Sequence, residues 1–348
     1  MPLANALDYP VWANGLIFVT AAAIIWVAGS RLVRLIDGIA RKTGLGQAFA
    51  GMLLLGIINC LPEIANVSSA SWAGNPTLAV NNLLGSAAIN IVLLAVMDGV
   101  FGREALTSFV AKPTTLLQAT LSILVLSVLV MAIAVGDLPV LGVGAASLTV
   151  FTASIGAFWL ASHYEQRSTW TTKAGEGSSG ASDEGDSQGT QDGLSLVIGK
   201  TLGVAAVIFA AGYCLSQTGD ALAEQTGLGS GLVGFVFMGI ATSMPELSTI
   251  TTALRMRKYE MAIGEVLGTN LVNISLVLLA DAVYSGGPVI NEIGRFESVS
   301  ALLGIVVTAI LLIGLLERRN ATFLRMGYDS FAILVSFGLG LVLLYFIS

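Results

Sequence analysis

Two stretches decide how this chain folds: Thr43–Asn66, TGLGQAFAGMLLLGIINCLPEIAN, and Thr226–Thr249, TGLGSGLVGFVFMGIATSMPELST. They align without a gap at an offset of 183 positions, with Pro62 opposite Pro245 and Glu63 opposite Glu246. The same register carries Asn81–Ile91, NNLLGSAAINI, onto Gly264–Ile274, GEVLGTNLVNI, and runs from Asp37 opposite Asp220 to Asp98 opposite Asp281. An ungapped match through two apolar segments and their connection is the mark of internal duplication. Each copy sets a proline and a carboxylate inside an apolar run, where a helix breaker and a charge are both costly.

Of 348 residues, 55% are hydrophobic and 11% charged, with a mean hydropathy of +0.84. That leaves too little charge to coat a soluble domain of this length, so the chain reads as an integral membrane protein. A hydrocarbon core about 30 Å thick takes roughly 20 apolar residues per helix. Ten such runs lie near 12–33, 46–71, 77–100, 114–135, 138–161, 196–216, 229–254, 259–283, 298–316 and 325–347. The predicted fold is therefore all-α and polytopic. The first half spans residues 1–162, with its repeat at about 46–100, and the second spans 195–348, with its repeat at about 229–283. Between them, residues 163–194 are rich in Gly, Ser and acid, a composition that cannot bury enough apolar surface to order itself and so predicts a flexible linker.

Two cysteines, Cys60 and Cys214, both in apolar segments, exclude a disulfide scaffold, and the single His163 excludes zinc-protease and paired-histidine haem chemistry. No basic cluster suggests nucleic acid. The residues before the first apolar run carry no Lys or Arg, so the first span is expected to be retained. Numbering the loops alternately gathers Arg31, Arg34, Arg41, Lys42 and most other cations on one side and leaves Arg295 alone on the other. The positive-inside rule makes the first side cytoplasmic, which puts both termini outside and the acidic linker inside. Five spans per half mean that the second copy enters the membrane from the opposite side: an inverted repeat, as in alternating-access transporters.

Pro62 and Pro245 lack an N–H and crowd the carbonyl four residues earlier, freeing Ile58 and Ala241, and free backbone at membrane depth is tolerated only when buried or lining a cavity. Helical spacing places Asn59 and Cys60 with Glu63, and Thr242 and Ser243 with Glu246. In the following helices Asn82, Ser86 and Asn90 form one stripe and Glu265, Thr269 and Asn273 its counterpart. Carboxylate, amide and hydroxyl oxygens together suit Ca²⁺. A lone membrane glutamate is often structural, but duplication at symmetric positions favours a cation site. Asp98 and Asp281, near helix ends, are expected to meet water or neighbouring helix ends. Gly44, Gly46 and Gly85, with their partners Gly227, Gly229 and Gly268, are expected to be close-packing positions.

These residues resemble the sodium/calcium exchanger family of the calcium:cation antiporter superfamily, whose repeats follow G-T-S-[LV]-P-E and G-N-x-x-G-S-N-x-x-N; here they read GIINCLPEI with NNLLGSAAIN and GIATSMPEL with GEVLGTNLVN. The resemblance covers both repeats and the ten-helix plan. It implies that Glu63 and Glu246 are ligands shared between Ca²⁺ and competing Na⁺. Thr242, Ser243, Asn59 and Cys60 would line the site, Ser86 and Thr269 would add hydroxyls, and Asn90 and Asn273 would hold the centre. The carbonyls of Gly56 and Gly239 fall where the family uses backbone oxygen. The chain departs from the pattern at Asn59-Cys60, since a thiol is a poor ligand for Na⁺, and at Glu265, which replaces an asparagine. Glu265 is left as a protonatable group, an extra ligand, or a partner of Arg257 or Lys258.

The expected function is a secondary antiporter that exports Ca²⁺ in exchange for Na⁺, or alternatively H⁺, with no cofactor, working as a monomer in a lipid bilayer, the prokaryotic inner membrane. A channel is disfavoured because filters are often built from several subunits. An acid/base enzyme is disfavoured because no histidine, nucleophile motif or phosphate loop accompanies the glutamates.

Overall fold

The computed structural model describes residues 6–44, 50–72, 74–101, 105–108, 110, 113–140, 142–166, 193–225, 239–318, 322–323 and 325–347. Its helices are α1 Val11–Thr43, α2 Gly56–Asn59, α3 Leu61–Trp72, α4 Pro76–Phe101, α5 Pro113–Val135, α6 Ala145–Gln166 and α7 Leu194–Gln225. The chain continues with α8 Gly239–Thr242, α9 Met244–Arg255, α10 Tyr259–Ser275, α11 Val277–Val283, α12 Arg295–Glu317 and α13 Tyr328–Ile347. A π-helical turn, Gly51–Leu55, leads into α2. Among the described residues nine helices are long and apolar enough to cross a membrane, so the chain is a multi-pass, mostly helical membrane protein. The run expected at 229–254 is described only from Gly239 onward, and residues 167–192 of the expected linker lie outside the described set.

Several boundaries differ from the sequence expectation, each for a physical reason. α1 continues to Thr43, a turn-by-turn extension in which Leu32, Val33, Ile36, Ile39 and Ala40 are buried while Arg34 and Arg41 stay exposed. This amphipathic tail is helical by packing rather than by hydropathy. Gly44 ends it at φ +73°, in the left-handed region that glycine enters without cost, with nothing within 4 Å; it is a C-cap and not a packing position. α6 carries on through His163 to Gln166, so the helix takes in the start of the expected linker. The runs expected to begin at 138 and 325 start instead as two-residue hairpins. Pro139–Val140 (β1) pairs antiparallel with Val143–Gly144 (β2), and Thr322–Phe323 (β3) with Met326–Gly327 (β4).

The expected helices around Pro62 and Pro245 are broken one residue before each new helix begins. Cys60 (φ −75°, ψ 0°) and Ser243 (φ −83°, ψ 10°) occupy the bridge region between helical and extended backbone. Each proline thereby falls in the first turn of its helix, where the missing N–H costs nothing and its fixed φ favours the start. Helical bonding resumes at once, from Ile64 N–H to Cys60 O at 2.9 Å and from Leu247 N–H to Ser243 O at 3.0 Å. The prolines act as helix starts rather than as interior kinks.

α4 and α10 form the centre: 67% of the most apolar window of each spanning segment is buried, against 33% for α1 and 17% for α13. The broken helices cross between the halves, α2 and its π-helical turn packing on α10, and α8 packing on α4. α1 and α7 lie along each other at the outside. A small buried cluster of Ala21, Ile25, Ala211 and Leu215 lies at their contact, with Met244 of α9 packed against it. α1 touches α9 at Gly29, and α7 touches α3 at Gly212. Beside these outer helices a groove of about 840 Å³ runs past Ile24 and Val207 to Arg31, Arg34 and Lys200.

The duplication extends to individual hydrogen bonds. Asp98, on α4, accepts from Leu106 N–H and from Gly327 N–H, both at 2.7 Å. Asp281, on α11, accepts from Val289 N–H at 2.7 Å and from Gly144 N–H. Leu106 and Val289 are partners at the 183 offset, as are Gly144 and Gly327. Both aspartates are buried, so they do not meet water. Each instead fixes the loop after its own helix and the hairpin of the opposite half through charge-assisted bonds.

Candidate functional site

The two helix breaks set the chemistry. Glu63 falls in the first turn of α3 and Glu246 in the first turn of α9, where the helix dipole favours negative charge. Both side chains are completely buried, and none of their four carboxylate oxygens accepts a well-formed hydrogen bond. The hydroxyls of Thr242 and Ser86 stand beside Glu63, close enough to interact although not in good hydrogen-bond geometry. Glu63 and Glu246 are near enough for their charges to repel each other.

Glycines bring the other oxygens to them. A Cβ on Gly56 would lie 3.0 Å from the backbone of Gly268 and Thr269, so only glycine lets α2 approach α10 this closely. A Cβ on its partner Gly239 would lie 2.5 Å from Ile89 Cδ1 and 3.4 and 3.5 Å from the backbone of Gly85 and Ser86, so α8 also sits close on α4. Gly85 and Gly268 are thus close-packing positions, as expected. Gly56 and Gly239 are packing positions as well, and the Gly239 carbonyl accepts from Ser243 N–H at 3.1 Å.

The approach places Ser86 Oγ 2.9 Å from Thr242 Oγ1, and Thr242 also donates to Asn82 Oδ1 at 3.3 Å. On the other side the Cys60 thiol points at Asn273 Oδ1 (3.3 Å) and at the Thr269 carbonyl (3.6 Å). Between the two long helices Asn90 Nδ2 donates to Asn270 Oδ1 at 3.3 Å, and Asn270 Nδ2 to the Ala87 carbonyl at 2.9 Å. Ser243 Oγ, Thr269 Oγ1 and Asn90 Oδ1 are buried without a partner. The expected residues thus meet one another across the two halves, whereas Asn59 turns its amide toward Glu265 (2.6 Å) and Thr249 (2.9 Å).

Glu265 is itself fully buried and pairs with neither Arg257 nor Lys258. Lys258 reaches Asp37 at 3.5 Å, beside Arg41 at 2.8 Å, which removes the edge-pairing alternative for Glu265. Asn66 and Thr249 were not singled out in the sequence, yet they bond into these networks, Asn66 to Asn82 at 3.2 Å and Thr249 to Asn59 and Glu265. Each lies three residues past a glutamate, on the same helical face, and the two are offset partners; that spacing was the available signal. Asn270, too, is recognised only in three dimensions, as the partner of Asn90.

Among the described residues no three carboxylate, thiol or imidazole groups converge tightly enough to hold a metal alone. Two carboxylates in company with hydroxyl and amide oxygens, and with a single thiol at Cys60, make a predominantly oxygen set, of the kind hard cations such as Ca²⁺ and Na⁺ take.

The family described as sodium/calcium exchanger protein matches residues 14–166 and 196–348. The inner membrane protein YrbG of Escherichia coli (strain K12) is 26% identical over 283 residues, 80% of this chain and 81% of that protein. The sodium/calcium exchanger MaX1 of Methanosarcina acetivorans is 26% identical over 137 residues, 38% of this chain and 39% of that protein. A solved structure of the sodium-calcium exchanger NCX_Mj, soaked with Na⁺ and Sr²⁺, superposes with a TM-score of 0.69 at 15% identity, covering 96% of this chain and 99% of that one.

Proposed function

Because the chain belongs to the sodium/calcium exchanger family, we propose that it is a secondary antiporter that moves Ca²⁺ out of the cytoplasm in exchange for Na⁺ at the Glu63–Glu246 site. The observation that carries this reading is the two fully buried carboxylates, none of whose four oxygens accepts a well-formed hydrogen bond, each at the start of one of two broken helices related by the 183 offset. Leaving two carboxylates dry and unpaired is expensive, and a divalent cation offsets both charges at once. Ser243, Thr269 and Asn90 supply further open oxygens, and Ser86, Thr242, Asn273, Cys60 and Asn59 line the surroundings. In this reading the carbonyls of Gly56 and Gly239 would add backbone oxygens.

Coupling follows from competition. Ca²⁺ and Na⁺ need the same carboxylates, so occupation by one excludes the other, and the protein changes sides only when the buried charge is matched. Ten helices in two halves of five give the halves opposite orientation, which puts the two glutamates at similar depth around an axis in the membrane plane. Both termini then face outward and the 163–194 linker faces the cytoplasm. The moving parts in this reading are α1 and α7, which ride on α9 and α3 at Gly29 and Gly212.

The test is ⁴⁵Ca²⁺ uptake by proteoliposomes loaded with Na⁺ and diluted into Na⁺-free buffer, repeated with a proton gradient alone. Uptake driven by the Na⁺ gradient and lost in both Glu63→Gln and Glu246→Gln is expected. Uptake that follows only the proton gradient replaces Na⁺ by H⁺ as the coupling ion, and no ⁴⁵Ca²⁺ movement under either gradient refutes the assignment.

A further inference from the structure

The two halves build the same three-residue network beside their glutamates, but only one half charges it. At the 183 offset Asn59 corresponds to Thr242, Thr249 to Asn66, and Glu265 to Asn82. On one side Thr242 donates to Asn82 Oδ1 at 3.3 Å and Asn82 Nδ2 donates to Asn66 Oδ1 at 3.2 Å. That network is neutral, and no side-chain atom of these three residues is buried without a partner. On the other side Asn59 Nδ2 donates to Glu265 Oε1 at 2.6 Å and to Thr249 Oγ1 at 2.9 Å, and the Thr249 hydroxyl donates to the same Glu265 oxygen. Asn59 Oδ1 and Glu265 Oε2 remain, both fully buried and both without a partner.

A carboxylate in that setting has donors for one oxygen only and, among the described residues, no ion pair with a cationic side chain. The nearby Lys258 and Arg41 are committed to Asp37. Charge bookkeeping gives the missing species. Glu63, Glu246 and Glu265 carry three negative charges when ionised, and a Ca²⁺ at the first two leaves the third unmatched. A further divalent ion would overshoot, whereas a monovalent cation closes the balance.

We propose that Glu265 Oε2 and Asn59 Oδ1 form a second cation site, beside the Glu63–Glu246 site and specific for a monovalent cation of the Na⁺ class, which stays occupied while Ca²⁺ is bound. The proposal rests on the reading of Glu63 and Glu246 as the Ca²⁺ ligands. With Glu265 where the opposite half has Asn82, one half of a duplicated site thus gains a charged position for an additional ion that Ca²⁺ does not displace. Asn59 is its positioning residue: its amide N–H holds one carboxylate oxygen, and its own carbonyl oxygen is buried without a partner.

The experiment is equilibrium binding of ²²Na⁺ and ⁴⁵Ca²⁺ to the purified full-length protein at fixed pH, with N-methyl-D-glucamine balancing ionic strength. Wild type saturated with Ca²⁺ is expected to retain a ²²Na⁺ that Ca²⁺ does not displace. Glu265→Gln is expected to lose that ²²Na⁺ to background while still binding ⁴⁵Ca²⁺, and Glu63→Gln/Glu246→Gln to keep it while losing ⁴⁵Ca²⁺. Should Glu265→Gln misfold, the triple variant Asn59→Thr/Thr249→Asn/Glu265→Asn copies the closed neutral network of the opposite half and must also lose the retained ²²Na⁺. A Ca²⁺-saturated wild type that holds no ²²Na⁺, which leaves a proton on Glu265 as the balancing charge, overturns the proposal. Retention of ²²Na⁺ in Glu265→Gln overturns it equally. Wild type that binds no ⁴⁵Ca²⁺ but shows Glu265-dependent ²²Na⁺ binding removes the Ca²⁺ reading and keeps the monovalent site.

Discussion

Gly212→Ala tests whether α7 moves over α3. A Cβ at position 212 would lie 2.3 Å from Pro62 Cγ and 2.6 Å from Pro62 Cβ. Carbon atoms pack comfortably at about 3.5–4.0 Å, so the helices must part by roughly 1 Å to admit one methyl group. Pro62 is a rigid ring at a helix start and has no rotamer with which to retreat, so the added methyl is overpacked at a cost of about 1–3 kcal/mol. If that cost falls on the state in which α7 passes Pro62, transport slows by about fivefold at the low end and about 150-fold at the high end, given about 1.4 kcal/mol per tenfold. The assay is the initial rate of ⁴⁵Ca²⁺ uptake per reconstituted molecule, with thermal unfolding of the same preparation in parallel. Two controls rank the effect. Gly29→Ala meets the Ser248 Oγ at 2.8 Å, an atom that can rotate, and should slow transport less; Gly203→Ala, on α7 with nothing within 4 Å, should not slow it at all. A Gly212→Ala protein with wild-type rate and wild-type stability refutes the tight contact. One that is less stable but transports at the wild-type rate refutes the motion.

Asp98→Asn and Asp281→Asn should each lower stability by about 1.5–3 kcal/mol, the worth of a hydrogen bond to a charged group, and by similar amounts because their backbone donors correspond; a thermal shift in only one of them contradicts the equivalence. Cys60→Ser gives the first break the hydroxyl that Ser243 gives the second, and should lower the Na⁺ concentration needed for half-maximal exchange, read from Na⁺-dependent ⁴⁵Ca²⁺ efflux. Asp37→Asn removes the carboxylate between Arg41 and Lys258 and should destabilise the protein in thermal unfolding while leaving ⁴⁵Ca²⁺ affinity unchanged, since Asp37 belongs to no network at the glutamates.

What the sequence made legible follows from what duplication and hydropathy can express. Pro62, Glu63 and their partners stand out because each breaks a strong apolar pattern twice, and helical spacing from the glutamates leads to Ser243, Thr269 and Asn90. The hairpins at 139–144 and 322–327 stayed hidden because Val, Leu and Phe read alike in a strand and a helix. The tail of α1 stayed hidden because a hydropathy window ends at Arg31, although the buried positions continue to Ala40. The turn of Asn59 toward Glu265 depends on α2 packing against the opposite half, a contact between positions 206 residues apart that no local spacing encodes. The consequence of each Pro also depends on the break one turn earlier: a proline inside a helix frees a carbonyl, and a proline at a helix start frees none.

The reciprocal bonds of Asp98 and Asp281 have a consequence for assembly. Each half of the chain holds an acceptor whose donor, Gly327 or Gly144, belongs to the other, so either half made alone would bury a carboxylate and a glycine N–H that only its counterpart satisfies. The two lobes are thus mutual cofactors for folding, and a chain severed between 166 and 193 should work only when both pieces are made together. The same reciprocity is the contact rule of a two-fold homodimer, in which residue i meets residue j and j meets i.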